Sequence, residues 1–100
     1  MSFDIGMTYI DVHWHHSSAD APTRLVSELD ANRWERRKLE FFADGRIGYA
    51  GPAGATHGTR LGDAPVPSLE EINSQPEFDG DVVDAAVFES LWRAHASTPR

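Results

Sequence analysis

The sequence predicts an α+β fold: an antiparallel sheet of three to four strands, then a short helix and a C-terminal amphipathic helix packed on the sheet. Three observations carry this. The first half holds runs of alternating apolar and polar residues separated by turn residues. Residues 68–73 open on a helix-capping signature. Residues 82–95 carry apolar side chains at helical spacing.

The first strand is expected over residues 8–16. Ile10, Val12 and Trp14 fall on one face, and Tyr9, Asp11, His13 and His15 on the other. Ser17 to Pro22 is small and polar and reads as a loop. The stretch from Thr23 to Arg37 admits a helix, because Leu25 and Leu29 are four apart. Asp30-Ala31-Asn32 reads instead as a turn, since Asp and Asn side chains bond their own backbone. The favoured reading is a strand at 23–29, a turn, and a strand at 33–42. Asp44-Gly45 between apolar runs marks a hairpin into a strand at 46–50, because Gly accepts positive φ and Asp tolerates it.

Gly51 to Gly62 holds four glycines and a proline and is expected to be a flexible connection. Ser68 and Glu71 form a capping box at the start of a helix over 68–73, and Pro76 stops it. The last helix is expected over 82–95, capped by Asp81 or Asp84. Its core line is Val83, Val87 and Leu91, flanked by Phe88 and Trp92. Residues 7–96 form one domain, with 1–6 a flexible extension and 97–100 a flexible tail. One hundred residues suffice for one core.

Composition narrows the function. The chain has no cysteine, which excludes disulfides and thiolate metal sites and fits a reducing cytoplasm. No run approaches the roughly 20 apolar residues of a membrane helix, so no membrane partner is expected. Net charge is −7, and its placement is uneven: Leu61 to Trp92 holds eight acids and no Lys or Arg. That balance disfavours direct nucleic-acid binding, which needs a basic face, and suits a basic protein partner.

Several phrases carry a resemblance: Arg33-Trp34-Glu35-Arg36-Arg37-Lys38, Asp44-Gly45-Arg46-Ile47-Gly48-Tyr49-Ala50, and Pro67-Ser68-Leu69-Glu70-Glu71-Ile72-Asn73. Over about Thr8 to Trp92 the chain resembles a bacterial family known as domain of unknown function 6881. The resemblance implies a small stand-alone bacterial α+β domain, similar in general look to the immunity proteins that neutralise toxins. It transfers no catalytic residue.

Candidate sites follow from residue types. Glu70, Glu71, Asp81 and Asp84 are the expected acidic contacts for a basic partner, with Trp34 as an exposed aromatic anchor. His13 and His15 share a strand face at about 7 Å and, with His57, form a weak metal constellation beside Asp11. Its bland alternative is an exposed histidine cluster. Glu28, Asp30, Glu35, Arg36, Arg37 and Lys38 read as a solvated ion-pair ladder. Three readings stay open: an inhibitor or immunity-type binding module, a small enzyme or metal protein using the His13/His15 face, and an accessory domain. The first is favoured, no cofactor is expected, and two sheet edges leave a homodimer open.

Overall fold

The computed structural model describes residues 6–56 and 58–96. Among these residues are six strands and two helices: β1 (Thr8–Trp14), β2 (Arg24–Leu29), β3 (Glu35–Phe41), β4 (Ile47–Gly51), β5 (Gly54–Ala55), α1 (Leu69–Asn73), β6 (Phe78–Val83) and α2 (Ala85–His95). All neighbours are antiparallel, and the sheet order is β5-β4-β3-β2-β1-β6. The ambiguous stretch after Thr23 is thus strand, turn, strand. Of the expected extension over 1–6, residues 1–5 lie outside the described residues, as do the tail from residue 97 and His57.

The strand count corrects the expected three to four, and β6 is the main omission. Phe78 to Val83 lies antiparallel to β1, with Tyr9 opposite Val83 and Trp14 opposite Phe78. Asp81 and Val82 therefore belong to a strand, and the last helix begins at Ala85. The core line of that helix shifts accordingly. Val83 is in the strand, Val87 is 45% exposed, and Phe88 with Leu91 and Trp92 packs on the sheet. Asp84 occupies the N-cap position without a side-chain cap bond.

Alternation along the strands gives the sheet two covered faces. On one, α2 buries Val26, Leu39 and Phe88 together, with Tyr9, Phe41 and Tyr49 around them. Full burial of a Phe-sized side chain stabilises by about 1.5–3 kcal/mol. On the other, Ile10, Val12 and Leu29 pack under Val66, Leu69, Ile72 and Phe78. A five-residue helix cannot hold itself in water. It is held here because Leu69 and Ile72 reach the sheet, and because Ser68 Oγ accepts from Glu71 N, as its capping signature requires.

Two hairpins bracket β3 and share one hydrogen-bond pattern. In the first, Arg33 N donates to Asp30 O, and Asp30 N to Trp34 O. In the second, Gly45 N donates to Phe42 O, and Phe42 N to Arg46 O. This is a turn followed by a left-handed residue, a three-residue hairpin loop rather than the shortest kind. The left-handed position holds Gly45 at φ 95° in one hairpin and Arg33 at φ 67° in the other. A side chain there is strained.

Both sheet edges are blunt. β5 is two residues long. At the β6 edge, Asn73 Nδ2 donates to Gly80 O at 3.0 Å, and Gly80 N donates to Asn73 Oδ1 at 2.7 Å. The amide of α1 thereby occupies backbone groups that would otherwise recruit another strand. Gly80 permits the approach: a Cβ there would stand 2.9 Å from Leu69 and 3.1 Å from Val12.

Candidate functional site

The concave surface lies on the α1 face. Its floor changes character between β2 and β3. On β1 and β2, Ile10, Val12 and Leu25 line an apolar trough of about 240 Å³, roofed by Ile72 and Phe78. On β3, Lys38 and Glu40 face a polar cavity of about 500 Å³ walled by the loop from Gly58 to Asp63. Glu35 borders the trough and bonds Lys38 in the cavity, so the two spaces adjoin. The cavity is within the about 300–1,000 Å³ range of ligand clefts, and the trough is of a size for an anchoring side chain.

The polar floor is a fixed cluster. Lys38 Nζ lies 3.3 Å from Glu35 Oε1 and 3.8 Å from Glu40 Oε2. Thr59 Oγ1 donates to Glu40 Oε1 at 3.1 Å, and Gly62 N donates to Glu35 Oε1 at 2.7 Å. The Lys38, Glu35 and Glu40 side chains are only 11%, 10% and 14% exposed. Of the expected solvated ladder, Glu28, Glu35, Arg37 and Lys38 are ion-paired but covered rather than solvated, because strand alternation turns them to the two packed faces. Asp30 and Arg36 remain at or near the surface.

The loop from Gly51 to Gly62, expected to be a flexible connection, is tied down at its described residues. Tyr49 N donates to Thr56 Oγ1, Thr56 N donates back to Tyr49 O, and Thr59 is buried. Thr59 fits because residue 48 is glycine: a Cβ on Gly48 would meet Thr59 Oγ1 at 2.1 Å. The opposite wall is held by Arg33. Its guanidinium donates to Val66 O at 2.8 Å and Pro67 O at 2.7 Å, and Val66 N donates to Arg33 O. The strained residue thus stands where it holds the rim of the trough, and strain of this kind clusters at functional sites.

On the other face, Arg37 is the central charge. Its fork donates to both oxygens of Glu28 at 2.8 Å and also to Glu89 on α2. It stacks 4.9 Å from the Phe88 ring centre and 5.1 Å from that of Trp92. The hydrogen bonds from Arg37 hold the Glu89 carboxyl below its ordinary value. Burial, followed by the bond to Glu28, pushes the Tyr9 phenol up. Glu28 and Arg37 are paired and largely covered, and Glu89, 41% exposed, closes the pairing from α2, which marks the cluster as the clamp between α2 and the sheet.

The matched region spans the whole described fold. A family model, Domain of unknown function (DUF6881), matches residues 8–97. The chain belongs to that family. No curated protein and no solved structure matches it. In this DUF6881 domain, no helix among the described residues is long and apolar enough to cross a membrane.

The DUF6881 fold disperses the residues singled out from sequence. Glu70 and Glu71 are exposed on α1, over one sheet face. Asp81 pairs with Asp11 on the strand face that also carries Tyr9, under the α2 side. Asp84 is exposed between β6 and α2, and Trp34 is 40% exposed at a hairpin tip. His13 is exposed with Nε2 3.7 Å from Asp11, and His15 is exposed beyond the end of β1. His57 lies outside the described residues. Among the described residues no three His, Asp or Glu side chains gather as a metal-ligand group. His16 serves the loop: its Nε2 bonds Pro22 O, and its Nδ1 accepts from Ser18 N.

Sequence reasoning missed Arg33, Glu40 and Asn73. Period two already put Lys38 with Glu40 on one side of β3. What it lacked was the knowledge that a distant loop covers that side.

Proposed function

We propose that this protein is a small bacterial, cytoplasmic binding module of the inhibitor or immunity type. It docks on a basic protein partner through the acids of its C-terminal half. One observation carries the reading. Of the eight acids between Leu61 and Trp92, only Glu89 is ion-paired among the described residues, and the other seven are exposed. In the sheet half the charges cancel locally. Arg24 pairs with Asp11, Arg37 with Glu28, Lys38 with Glu35, and Arg46 with Asp44.

Uncompensated surface charge of one sign raises the encounter rate with a partner of the other, and salt suppresses the effect. Trp34 adds an exposed aromatic of the kind that anchors interfaces. The test is kinetic. A partner captured on the wild-type chain is purified, and its association rate is measured against a variant with Glu70, Glu71, Asp81 and Asp84 changed to Lys. The variant should associate roughly tenfold or more slowly at low salt and lose most of its salt dependence. Equal rates and equal salt dependence would overturn the reading.

A further inference from the structure

Steering by exposed acids explains how a basic partner approaches; the groove on the α1 face gives it a place to insert. The floor of the polar cavity holds two carboxylates, Glu35 and Glu40, about the single ammonium of Lys38. That leaves one formal negative charge among side chains only 10–14% exposed, where a charge acts more strongly than in bulk water. Along the cavity wall Asp63 and Arg60 offset each other, and Glu70 and Glu71 stand exposed on α1, whose Ile72 lines the trough. An anionic ligand meets the wrong sign. A cation attached to an apolar group meets the right sign on β3 and an apolar trough on β1 and β2.

The geometry sets the spacing. Neighbouring strands lie about 4.8 Å apart, so the centres of trough and cavity are separated by one to two strand spacings, roughly 5–10 Å. An extended chain advances about 3.3 Å per residue, and side chains two apart point the same way. An apolar residue and a basic residue two positions later therefore span the groove.

We propose that this groove receives an extended segment of the partner protein, seating an apolar side chain among Ile10, Val12 and Ile72 and a Lys or Arg over the Glu35–Lys38–Glu40 floor. This rests on the protein-binding reading above and names the chemistry of the inserted segment: apolar, any residue, basic. The short β5 edge and the Asn73 bonds at Gly80 favour insertion on this face over addition of a strand.

The experiment is a titration of the isotopically labelled full chain, followed through its backbone amide resonances. Three blocked pentapeptides serve as probes: serine-leucine-serine-lysine-serine, the same with glutamate for lysine, and the same with alanine for leucine. The lysine peptide should shift the amides of Leu25, Lys38, Gly62 and Ile72 and bind roughly tenfold tighter than the glutamate peptide. Glu40→Gln, which neutralises the floor while keeping an acceptor for Thr59, should remove most of that preference and leave the contribution of leucine. Its fold is checked in the same spectra. Should Glu40→Gln fail to fold, the alanine peptide decides alone, by losing the shifts at Leu25 and Ile72. Equal binding of the lysine and glutamate peptides, shifts located away from the groove, or no shifts at millimolar peptide would each overturn the proposal. The four-lysine variant separates the two readings. If it still slows partner association while no peptide enters the groove, the groove inference falls and the acidic docking stands.

Discussion

Arg33 and Val66 hold each other from both ends: Arg33 Nε donates to Val66 O at 2.8 Å, and Val66 N donates to Arg33 O at 2.8 Å. The contact crosses 33 positions of sequence and joins the tip of the β2–β3 hairpin to the chain that enters α1. It also requires Arg33 to stay at φ 67°, a conformation that costs an L-residue about 1–2 kcal/mol.

Two substitutions at Arg33 separate the strain from the clasp. Arg33→Ala keeps the left-handed strain and loses the guanidinium bonds, and should destabilise by about 1–3 kcal/mol. Arg33→Gly loses the same bonds but relieves the strain, so it should be less damaging by about 1 kcal/mol. Urea unfolding of the three proteins measures both differences. Equal loss in Ala and Gly would mean that the turn carries no strain.

Gly48 and Thr59 should behave as a coupled pair. Gly48→Ala places a methyl 2.1 Å from Thr59 Oγ1 and should destabilise by about 1–3 kcal/mol, by displacing the loop that walls the polar cavity. Thr59→Ala alone loses the bond to Glu40, an effect of about 1 kcal/mol. The double variant should be more stable than the sum of the two losses allows, because the added methyl then fills the space of the hydroxyl. Strict additivity in a double-mutant cycle would contradict the contact.

Acid should loosen α2 through Glu89. Its carboxyl titrates below the ordinary value of 4.5 in the folded protein, because Arg37 donates to it. A depressed carboxyl contributes stability that is fully present above the ordinary value and is lost as pH falls through the folded one. Stability measured from pH 6 downward should therefore fall below about pH 4.5, and Glu89→Gln should make that fall shallower. An unchanged acid limb would remove Glu89 from the account.

Loss of Arg37 should be more severe than loss of Glu89. Arg37→Ala leaves Glu28 covered beside Tyr9 without its cation, a change that costs roughly 3–5 kcal/mol for a buried pair. Thermal unfolding should show it directly, and a loss under 1 kcal/mol would mean that the cluster is well hydrated.

The parts of this fold legible in the sequence are those that local chemistry dictates. Asp44-Gly45 announced a turn because a left-handed position favours glycine, and Gly45 sits at φ 95°. Ser68 and Glu71 announced a cap, and Ser68 Oγ accepts from Glu71 N. β6 stayed hidden because Asp79, Gly80 and Asp81 are poor strand formers. They are extended only because β1 lies alongside, a partner more than sixty residues away in the chain. The spacing of Val83, Val87 and Leu91 then drew the helix too far toward the N-terminus. The groove was legible in part: alternation puts Lys38 and Glu40 on one side, but nothing local says that Thr59 and Gly62 return to cover them.

The pairing of Asn73 with Gly80 gives the sheet a false last strand one side chain long. Growth of the sheet past β6 then has a gate: an incoming strand must first displace an amide carried on α1. Sheet extension and the Asn73–Gly80 pairing thus compete for the same backbone groups. Conditions that melt α1 would free the Gly80 backbone groups and leave an adhesive edge.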